Sequence, residues 1–279
     1  MMFAGKQFDS SVVEYATTSG AIDLQAIDNL VRYLKAQNLF TSSRLYPAKS
    51  TQNKGTGSTL YGIGGLSTAN LTLYDSPTWD STGITLDTND YIAGVIAELE
   101  GTQEVMVFCR QAPTLASLAD SSRLIVTSIG NYRNTTPSGT GGWVGGISTL
   151  STAGEIHSSS FTYNSDVVDG NRRLGSSFVG WSAGQDLTMV YQLGNDYEYW
   201  NNDTTCPMDK VSSMSATTDN APSDLGTTGG HVVIGGQRTN GVNTSSSGRG
   251  IFKAQLYIAR TTKLTSGQRT SIRALLAAL

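Results

Sequence analysis

RGIFKAQLYIAR (residues 249–260) follows GGHVVIGGQR (residues 229–238) and precedes TTKLTSGQRTSIRALLAAL (residues 261–279). Its residues alternate between two sets: Phe252, Ala254, Leu256 and Ile258 against Lys253, Gln255 and Tyr257. This period of two predicts a strand with the first face on a hydrophobic core and the second face in water. The same period in residues 231–236, closed by a glycine pair, predicts another strand.

The C-terminal segment changes to a helical period. One apolar stripe is formed at spacings of three and four residues by Ile272, Leu275, Leu276 and Leu279. Such a stripe is typical of a helix that buries one side. Thr265 and Gln268 have the spacing of a capping box, which satisfies free amide donors at a helix start. The chain is therefore predicted to end with strand, loop, strand and helix.

A second helical pattern lies near the N-terminus. It is carried by Ile27, Leu30, Val31 and Leu34. The helix is expected to begin after Asp23, as its N-cap, and to end near Gln37. Asp28 is expected on its outer, solvent-facing side. The apolar stripe must be buried, either against the rest of this chain or against the same helix in another subunit.

From Leu60 onward the chain contains many short β-type segments separated by turn signals. Such punctuation with little helix favours an all-β sandwich or jelly roll. Residues 105–109 are apolar at successive positions, which predicts a central strand. The predicted fold class is mainly β: a β-sandwich with an N-terminal helix and a short C-terminal helix. We expect residues 1–57 to form an N-terminal helix and linker, and residues 58–279 to form the sandwich.

Composition excludes some classes of function. Only 15% of the 279 residues are charged, and the net charge is −3 with no basic cluster. Sequence-independent nucleic-acid binding requires clustered Lys and Arg, so no nucleic-acid partner is predicted. No apolar run is long enough for a membrane-spanning helix, so no membrane insertion is predicted. Cys109 ends an apolar run and is expected to be a buried thiol.

Seven segments follow one another between residues 58 and 279: NLTLYDSPTWDSTGITLDTNDYIAG, QEVMVFCR, DLTMVYQL, DYEYWNN, GHVVIGGQ, GIFKAQLYIAR and TSGQRTSIRALLAAL. Their order resembles that of the concanavalin A-like lectin/glucanase superfamily, in its laminin-G-like branch. The resemblance covers roughly residues 58–279. It implies a concanavalin A-like jelly roll of two antiparallel sheets.

Residues 21–66, from AIDLQ to GIGGL, resemble the segment that precedes such domains in virion proteins of tailed bacteriophages. This resemblance implies that residues 1–57 anchor the chain to a virion. The implied role is a tail-fibre, receptor-binding or capsid-surface (decoration) component. The implied partners are other virion proteins, host surface glycans and further copies of the chain in a homo-oligomer. The implied location is the virion, assembled in the host cytoplasm.

The residues that could carry catalysis are sparse. Glucanases of the superfamily that this sequence resembles carry their paired catalytic carboxylates in an E-x-D-x-x-E pattern. That pattern is absent from the sequence, and so is the G-x-S-x-G motif of a nucleophile elbow. Of the acidic pairs in the sequence, Asp196 and Glu198 are the stronger candidate for a pair of catalytic carboxylates. We therefore predict a non-enzymatic structural protein. The alternatives are a free carbohydrate-binding module, or a glycoside hydrolase with an unfamiliar site.

Four aromatic residues are candidates for sugar contact, since flat rings complement the apolar faces of sugars. They are Tyr197, Tyr199, Trp200 and Trp181. Filling of the sandwich core is the alternative role for these rings. The acidic loops at residues 87–90 and 219–224 contain oxygen ligands of the type that calcium prefers. Some members of the laminin-G-like family that the sequence resembles bind calcium. No cofactor is predicted, and calcium is kept as the alternative.

Overall fold

The structure is a computed structural model of the chain. The described residues are 7–66, 70–87, 89–99, 105–113, 124–130, 142–149, 156–163, 172–178, 186–193, 199–202, 230–239, 242–245, 250–259 and 264–279. They form helices α1 (Ser10–Ser19), α2 (Gln25–Ala36) and α3 (Ser266–Ala277). Short 3-10 helices span Phe40–Ser42 and Ala97–Leu99.

The described residues also form seventeen strands. In chain order they are β1 (Ser43–Pro47), β2 (Thr59–Leu60), β3 (Leu71–Tyr74), β4 (Thr78–Trp79), β5 (Ile84–Leu86), β6 (Tyr91–Val95), β7 (Val105–Pro113), β8 (Leu124–Gly130), β9 (Gly142–Thr149), β10 (Ile156–Tyr163), β11 (Arg172–Phe178), β12 (Leu187–Leu193), β13 (Tyr199–Asn202), β14 (His231–Ile234), β15 (Gly236–Thr239), β16 (Val242–Ser245) and β17 (Gly250–Ala259).

The strands form two large antiparallel sheets and one hairpin. Sheet A has the order β13-β12-β7-β17-β5-β4, and β1 also pairs with β17. Sheet B has the order β11-β10-β9-β8-β14-β6-β3-β2, and β15 pairs with β16. The mainly β sandwich with helices near both ends of the chain, predicted from periodicity, is confirmed.

Strand β17 is central in sheet A and is buried on both faces. One edge pairs with β7; the other pairs with β5 over its first three residues and with β1 over residues 254–258. The register against β7 shifts between Phe252 and Ala254, as a β-bulge does when it inserts one extra residue. The backbone N–H of Ala48 donates to the Lys253 carbonyl there (3.0 Å).

Because of the bulge, the predicted assignment of the β17 side chains to two faces is partly wrong. Phe252 lies between the two sheets, whereas Ala254 lies on the opposite side of sheet A. The face predicted to meet water is also buried, because Gln255 and Tyr257 are fully inaccessible to solvent. Alternation predicted the strand correctly, but the second layer that covers its other face was not visible in the local pattern.

Two hydrophobic cores lie on the two sides of sheet A. The intersheet core contains Val107, Val232, Ile234, Phe252 and Tyr257, among others. The helix-side core joins the outer face of sheet A to the three helices, and it includes Val12, Ile27, Leu30, Leu34, Phe108, Leu256, Ile258, Ile272 and Leu276. The molecule is therefore layered as helices, sheet A and sheet B.

The predicted α2 stripe is confirmed, and it is buried against this chain itself: Ile27, Leu30, Val31 and Leu34 all belong to the helix-side core. The predicted N-cap is wrong, because the residue at that position is Leu24 and makes no side-chain capping bond. The Asp23 carboxylate instead accepts a hydrogen bond from Gln52 Nε2 (3.1 Å).

Helix α1 was not visible in the sequence pattern, and it changes the environment of Asp28. This side chain, predicted to face solvent, is 1% exposed. It accepts hydrogen bonds from the Asp9 backbone N–H (2.7 Å) and from Arg32 Nε (2.8 Å). Asp28 thus holds the start of α1 against α2.

At the other end of the chain, the predicted capping box of α3 is confirmed. Gln268 N donates to Thr265 Oγ1 (3.2 Å), and Thr265 N donates to Gln268 Oε1 (2.9 Å). Cys109 is buried as predicted, and burial raises the pKa of its thiol well above the usual value. Among the described residues no helix is long and apolar enough to cross a membrane.

The boundary at residues 57 and 58 stays a prediction. Strand β1, which precedes that boundary, nevertheless pairs with β17 inside sheet A. Helices α1 and α2 supply side chains to the helix-side core. The N-terminal region therefore contributes directly to the packing of the sandwich.

Leu30→Ala tests this packing. Leu30 is fully buried in the helix-side core, so we expect the substitution to lower the free energy of unfolding by about 2–5 kcal/mol. Ile22→Ala is the matched control, because Ile22 is 65% exposed and its loss should cost less than about 0.5 kcal/mol. Chemical denaturation of both variants provides the measurement. Equal, small losses would show that the helices do not stabilise the sandwich.

Candidate functional site

A cleft of about 330 Å³ lies between α1 and the glycine-rich segment that follows β2. Its floor contains buried side chains, and its rim contains exposed residues of α1 and residue 70. The cleft is lined by Ser11, Glu14, Tyr15, Thr18, Phe40, Arg44, Tyr61, Gly62, Ile63, Gly64 and Asn70. Three aromatic rings, one guanidinium, one carboxylate and one amide thus surround one space.

The floor is held by the buried amide of Asn53. Its Nδ2 shares two hydrogens among three acceptors: Tyr15 Oη (3.0 Å), the Pro47 carbonyl (2.9 Å) and the Tyr61 carbonyl (2.9 Å). Its Oδ1 accepts from the Tyr61 N–H (3.2 Å). Tyr15 Oη in turn donates to the Gln52 carbonyl (2.7 Å). One side chain therefore connects α1, the end of β1 and the cleft wall.

Burial keeps Tyr15 protonated and suited to this network. It raises the pKa of the phenol well above its usual value, and the hydrogen bond with Ser19 and the charge of Arg44 offset only part of that rise. The hydroxyl is therefore a permanent donor to the Gln52 carbonyl. The ring is 5% exposed and forms part of the cleft floor.

The second wall is built from backbone that approaches β1 closely. Ile63 and Leu45 exchange two backbone hydrogen bonds, of 2.7 and 2.8 Å. Gly64 has φ +145°, and a Cβ there would overlap the Ser43 carbonyl oxygen. A Cβ at Gly62 would meet Arg44 and the Tyr46 ring. The glycines at positions 62 and 64 thus permit close backbone packing.

Charged groups rigidify the rim and floor. Arg44 is 6% exposed, and its Nη1 donates to the carbonyls of Gly64 (3.3 Å) and Leu66 (3.4 Å). Lys35 Nζ bonds to Asp9 Oδ1 (2.6 Å) and lies 4.8 Å from the centre of the Phe40 ring. The ring and the guanidinium are thereby held in place before any ligand arrives.

The described lining of this cleft differs from a glycosidase site in its number of carboxyl groups. Glycosidases place two carboxyl groups on either side of the bond that they cleave. Among the described residues that line the cleft, Glu14 is the single carboxylate. Likewise, the described part of the chain contains no cluster of three His, Cys, Asp or Glu residues able to hold a metal ion.

The structure separates the residues that the sequence singled out for sugar contact. Tyr199 and Trp200 lie in β13 at the edge of sheet A, paired with Tyr191 and Val190 of β12. Tyr197 and Trp181 lie outside the described residues, as do the acidic pair at 196 and 198 and the loop at 219–224. Their proposed roles stay predictions.

The acidic loop at 87–90 has an observed structural role. Asp90 is 7% exposed, and its two carboxylate oxygens accept from the backbone N–H groups of Ser76 (3.0 Å) and Asp87 (2.9 Å). The carboxylate closes this turn. A calcium site there would have to compete with both hydrogen bonds.

Sequence reasoning missed Tyr15, Phe40 and Tyr61, which are far apart in the chain and meet only in the folded cleft. The sole local signal was the spacing of Val12, Tyr15 and Ser19 on one side of α1. It also missed Tyr74 and Tyr91, whose rings stack at 4.6 Å on adjacent strands of sheet B. Tyr74 is 39% exposed and offers an aromatic surface remote in sequence from the cleft.

Comparison with known proteins gave structural similarity alone. No family model matches the chain, and no curated protein sequence matches it. The CBM40 of the Ruminococcus gnavus IT-sialidase bound to α2,3 sialyllactose is 11% identical with TM-score 0.46, covering 70% of this chain and 95% of that chain.

Two further solved structures are similar over parts of their length. The botulinum neurotoxin serotype D binding domain is 9% identical with TM-score 0.49, covering 85% of this chain and 52% of that chain. The NanB sialidase from Streptococcus pneumoniae is 11% identical with TM-score 0.44, covering 64% and 26%. At these identities and TM-scores the similarities assign no function to the chain.

Gly64→Ala tests the close approach that forms the cleft wall. The added Cβ would overlap the Ser43 carbonyl in a backbone conformation that favours glycine, so we expect a loss of at least about 1–3 kcal/mol in unfolding free energy. Gly267→Ala is the matched control, because nothing lies within 4 Å of its added Cβ and it belongs to α3. It should be neutral or stabilising by under about 1 kcal/mol. A neutral Gly64→Ala variant would contradict the described wall.

Asp9 predicts how stability depends on pH. Partial burial would raise the pKa of its carboxyl, but hydrogen bonds from Lys35 and the Ser11 N–H outweigh burial and lower it. A carboxyl whose pKa is lowered in the folded state stabilises the protein at pH values above its pKa in the unfolded state, about 3.9. This stabilisation is lost as the pH falls through the pKa of the folded state. We expect the gap in melting temperature between wild type and Asp9→Asn to narrow from about pH 6 to about pH 3. An equal difference in melting temperature at about pH 6 and about pH 3 would contradict this interpretation.

Proposed function

We propose that this chain is a non-enzymatic β-sandwich that binds glycans, and that the cleft between α1 and residues 61–64 is a glycan-binding site. The observation that carries the proposal is the composition of the cleft. It combines aromatic rings, amide and hydroxyl groups with a single carboxylate among its described lining residues. Such a surface recognises a polar ligand without supplying the two carboxyl groups of hydrolysis.

Sugar recognition matches these groups because a sugar ring has an apolar face and hydroxyl edges. Tyr61 and Phe40 are half-buried, so their rings remain partly open to the cleft. The Asn70 amide is exposed at the rim, where its Oδ1 accepts from the Gly62 N–H (3.3 Å). The cleft volume of about 330 Å³ lies in the lower range of volumes found for small-molecule sites.

The aromatic residues 181, 197, 199 and 200 remain proposed contacts for a longer glycan. Positions 199 and 200 belong to an edge strand, and edge positions are open to a ligand that lies along the sheet. The alternatives are a free carbohydrate-binding module and a glycoside hydrolase that would use Asp196 and Glu198. The free module would differ from the leading proposal in its location, because it would not be part of a virion. The hydrolase would differ in turnover, because it would cleave the glycan that it binds.

We further propose that the chain is a virion structural protein, in a tail fibre, receptor-binding assembly or capsid-surface layer, and that it forms a homo-oligomer. This proposal is supported by the resemblance of residues 21–66 to segments of tailed-bacteriophage virion proteins. In this role the glycan would be a host surface glycan. The partners would be other virion proteins.

Tyr61→Ala tests the cleft as the glycan site. Loss of one stacking ring should weaken binding about two- to tenfold, measured by calorimetry on the glycan that binds best in an array screen. Tyr74→Ala is the matched control, because Tyr74 is an exposed tyrosine on sheet B. Its affinity should equal that of wild type. Equal affinities of both variants and wild type would place the glycan elsewhere.

Turnover and location are tested separately. Release of reducing sugar that is lost in Asp196→Asn or Glu198→Gln would overturn the non-enzymatic proposal in favour of a hydrolase. Detection of the chain in stoichiometric amounts in purified particles would support the virion role. Its absence from particles would favour a free carbohydrate-binding module.

A further inference from the structure

A second group of polar side chains lies on sheet A. Arg110 of β7, Lys253 of β17 and Asp186, which immediately precedes β12, meet there. Arg110 Nη2 donates to Asp186 Oδ2 (2.7 Å), and Lys253 Nζ donates to Asp186 Oδ1. The register explains this meeting, because Arg110 pairs with Ala254 on one side and with Thr188 on the other.

These groups are only partly accessible. The side chains of Arg110 and Lys253 are 12% and 15% exposed, and that of Asp186 is 35% exposed. The Nε and Nη1 atoms of Arg110 are buried, and they have no hydrogen-bond partner within the part of the chain that the structure describes. A buried guanidinium normally has its donors satisfied, so these two are an exception that calls for a further acceptor.

Further charged groups lie close to these three residues. Burial lowers the pKa of the Lys49 ammonium group and the nearby charge of Arg110 lowers it further, whereas the charge of Asp23 raises it. Asp80 also lies near Lys253, and its carboxylate accepts from Thr82 and Gly83 of its own turn. Among the described residues, Asp186 is the carboxylate that pairs directly with both Arg110 and Lys253.

We propose that Arg110 and Lys253 form a binding site for an oxyanion, a carboxylate or sulfate group of a ligand, whose position the Asp186 carboxylate occupies in the free protein. A planar guanidinium and ammonium groups recognise such oxygens through charge-assisted hydrogen bonds. The Asp186 side chain is more exposed than those of Arg110 and Lys253, so it is the one able to move away. The site is separate from the cleft, and its existence does not depend on the cleft binding glycans.

The test is a sulfate titration of the full chain at constant ionic strength, followed by thermal unfolding and calorimetry. Asp186→Asn removes the competing carboxylate, so sulfate should bind about tenfold more tightly and raise the melting temperature more than in wild type. Lys253→Gln should weaken sulfate binding about tenfold. Both variants are first compared with wild type by circular dichroism, and sulfate-dependent recovery of a destabilised Asp186→Asn would itself support the site.

Arg32→Gln is the matched control, because Arg32 pairs with Asp28 on α2 and its side chain is 51% exposed. Its sulfate affinity should equal that of wild type. Absence of saturable sulfate binding in both wild type and Asp186→Asn, or an equal change in Arg32→Gln, would overturn the proposal.

Dextran sulfate and neutral dextran then distinguish the source of the anion. Tighter binding of dextran sulfate per sulfate group, with the same dependence on Lys253, supports a polymer-borne group as the ligand. Equal affinity per group supports a free ion. Equal binding of neutral dextran to wild type and Lys253→Gln, with no sulfate dependence, would contradict an oxyanion site.

Discussion

The burial of β17 on both faces is the constraint on which the other layers depend. Phe252 and Tyr257 pack between the sheets, while Leu256 and Ile258 pack under the helices. An antiparallel sheet with one dry face can leave the other face in water, but a sheet that is apolar on both faces cannot. Sheet A therefore requires a helical layer, and that layer is drawn from both ends of the chain.

This requirement also explains where the cleft lies. Helix α1 sits at the margin of the helical layer, where the glycine-rich segment after β2 approaches β1. The buried amide of Asn53 fills the junction with five hydrogen bonds to neighbouring backbone and side-chain groups. A buried amide that satisfies so many partners specifies one arrangement of them. The cleft is consequently a preformed feature of the packing.

Few residues of this chain are charged, and several of the buried or half-buried ones are grouped. Asp28, Arg32, Asp9 and Lys35 connect α1 to α2 and balance one another. Arg110 and Lys253 both pair with the Asp186 carboxylate. The first group serves the fold, because every charge has a counterpart at hydrogen-bond distance. In the second group, two buried donors of Arg110 have no hydrogen-bond partner within the described residues, which is the difference between a structural ion pair and a site that attracts an anion.

By itself, the sequence determined the elements whose signals are local. The stripe of α2, the capping box of α3 and the alternation in β17 each depend on residues within one or two turns or along one strand, and each predicted element is present. Tertiary structure alone decided which faces are buried. The bulge at Lys253 moved Phe252 to the other face, and α1 buried Asp28, because both depend on partners far along the chain. The cleft and the charged group are decided at the same level, since residues 15, 40 and 61, or 110, 186 and 253, become neighbours only when strand register and helix packing bring them together.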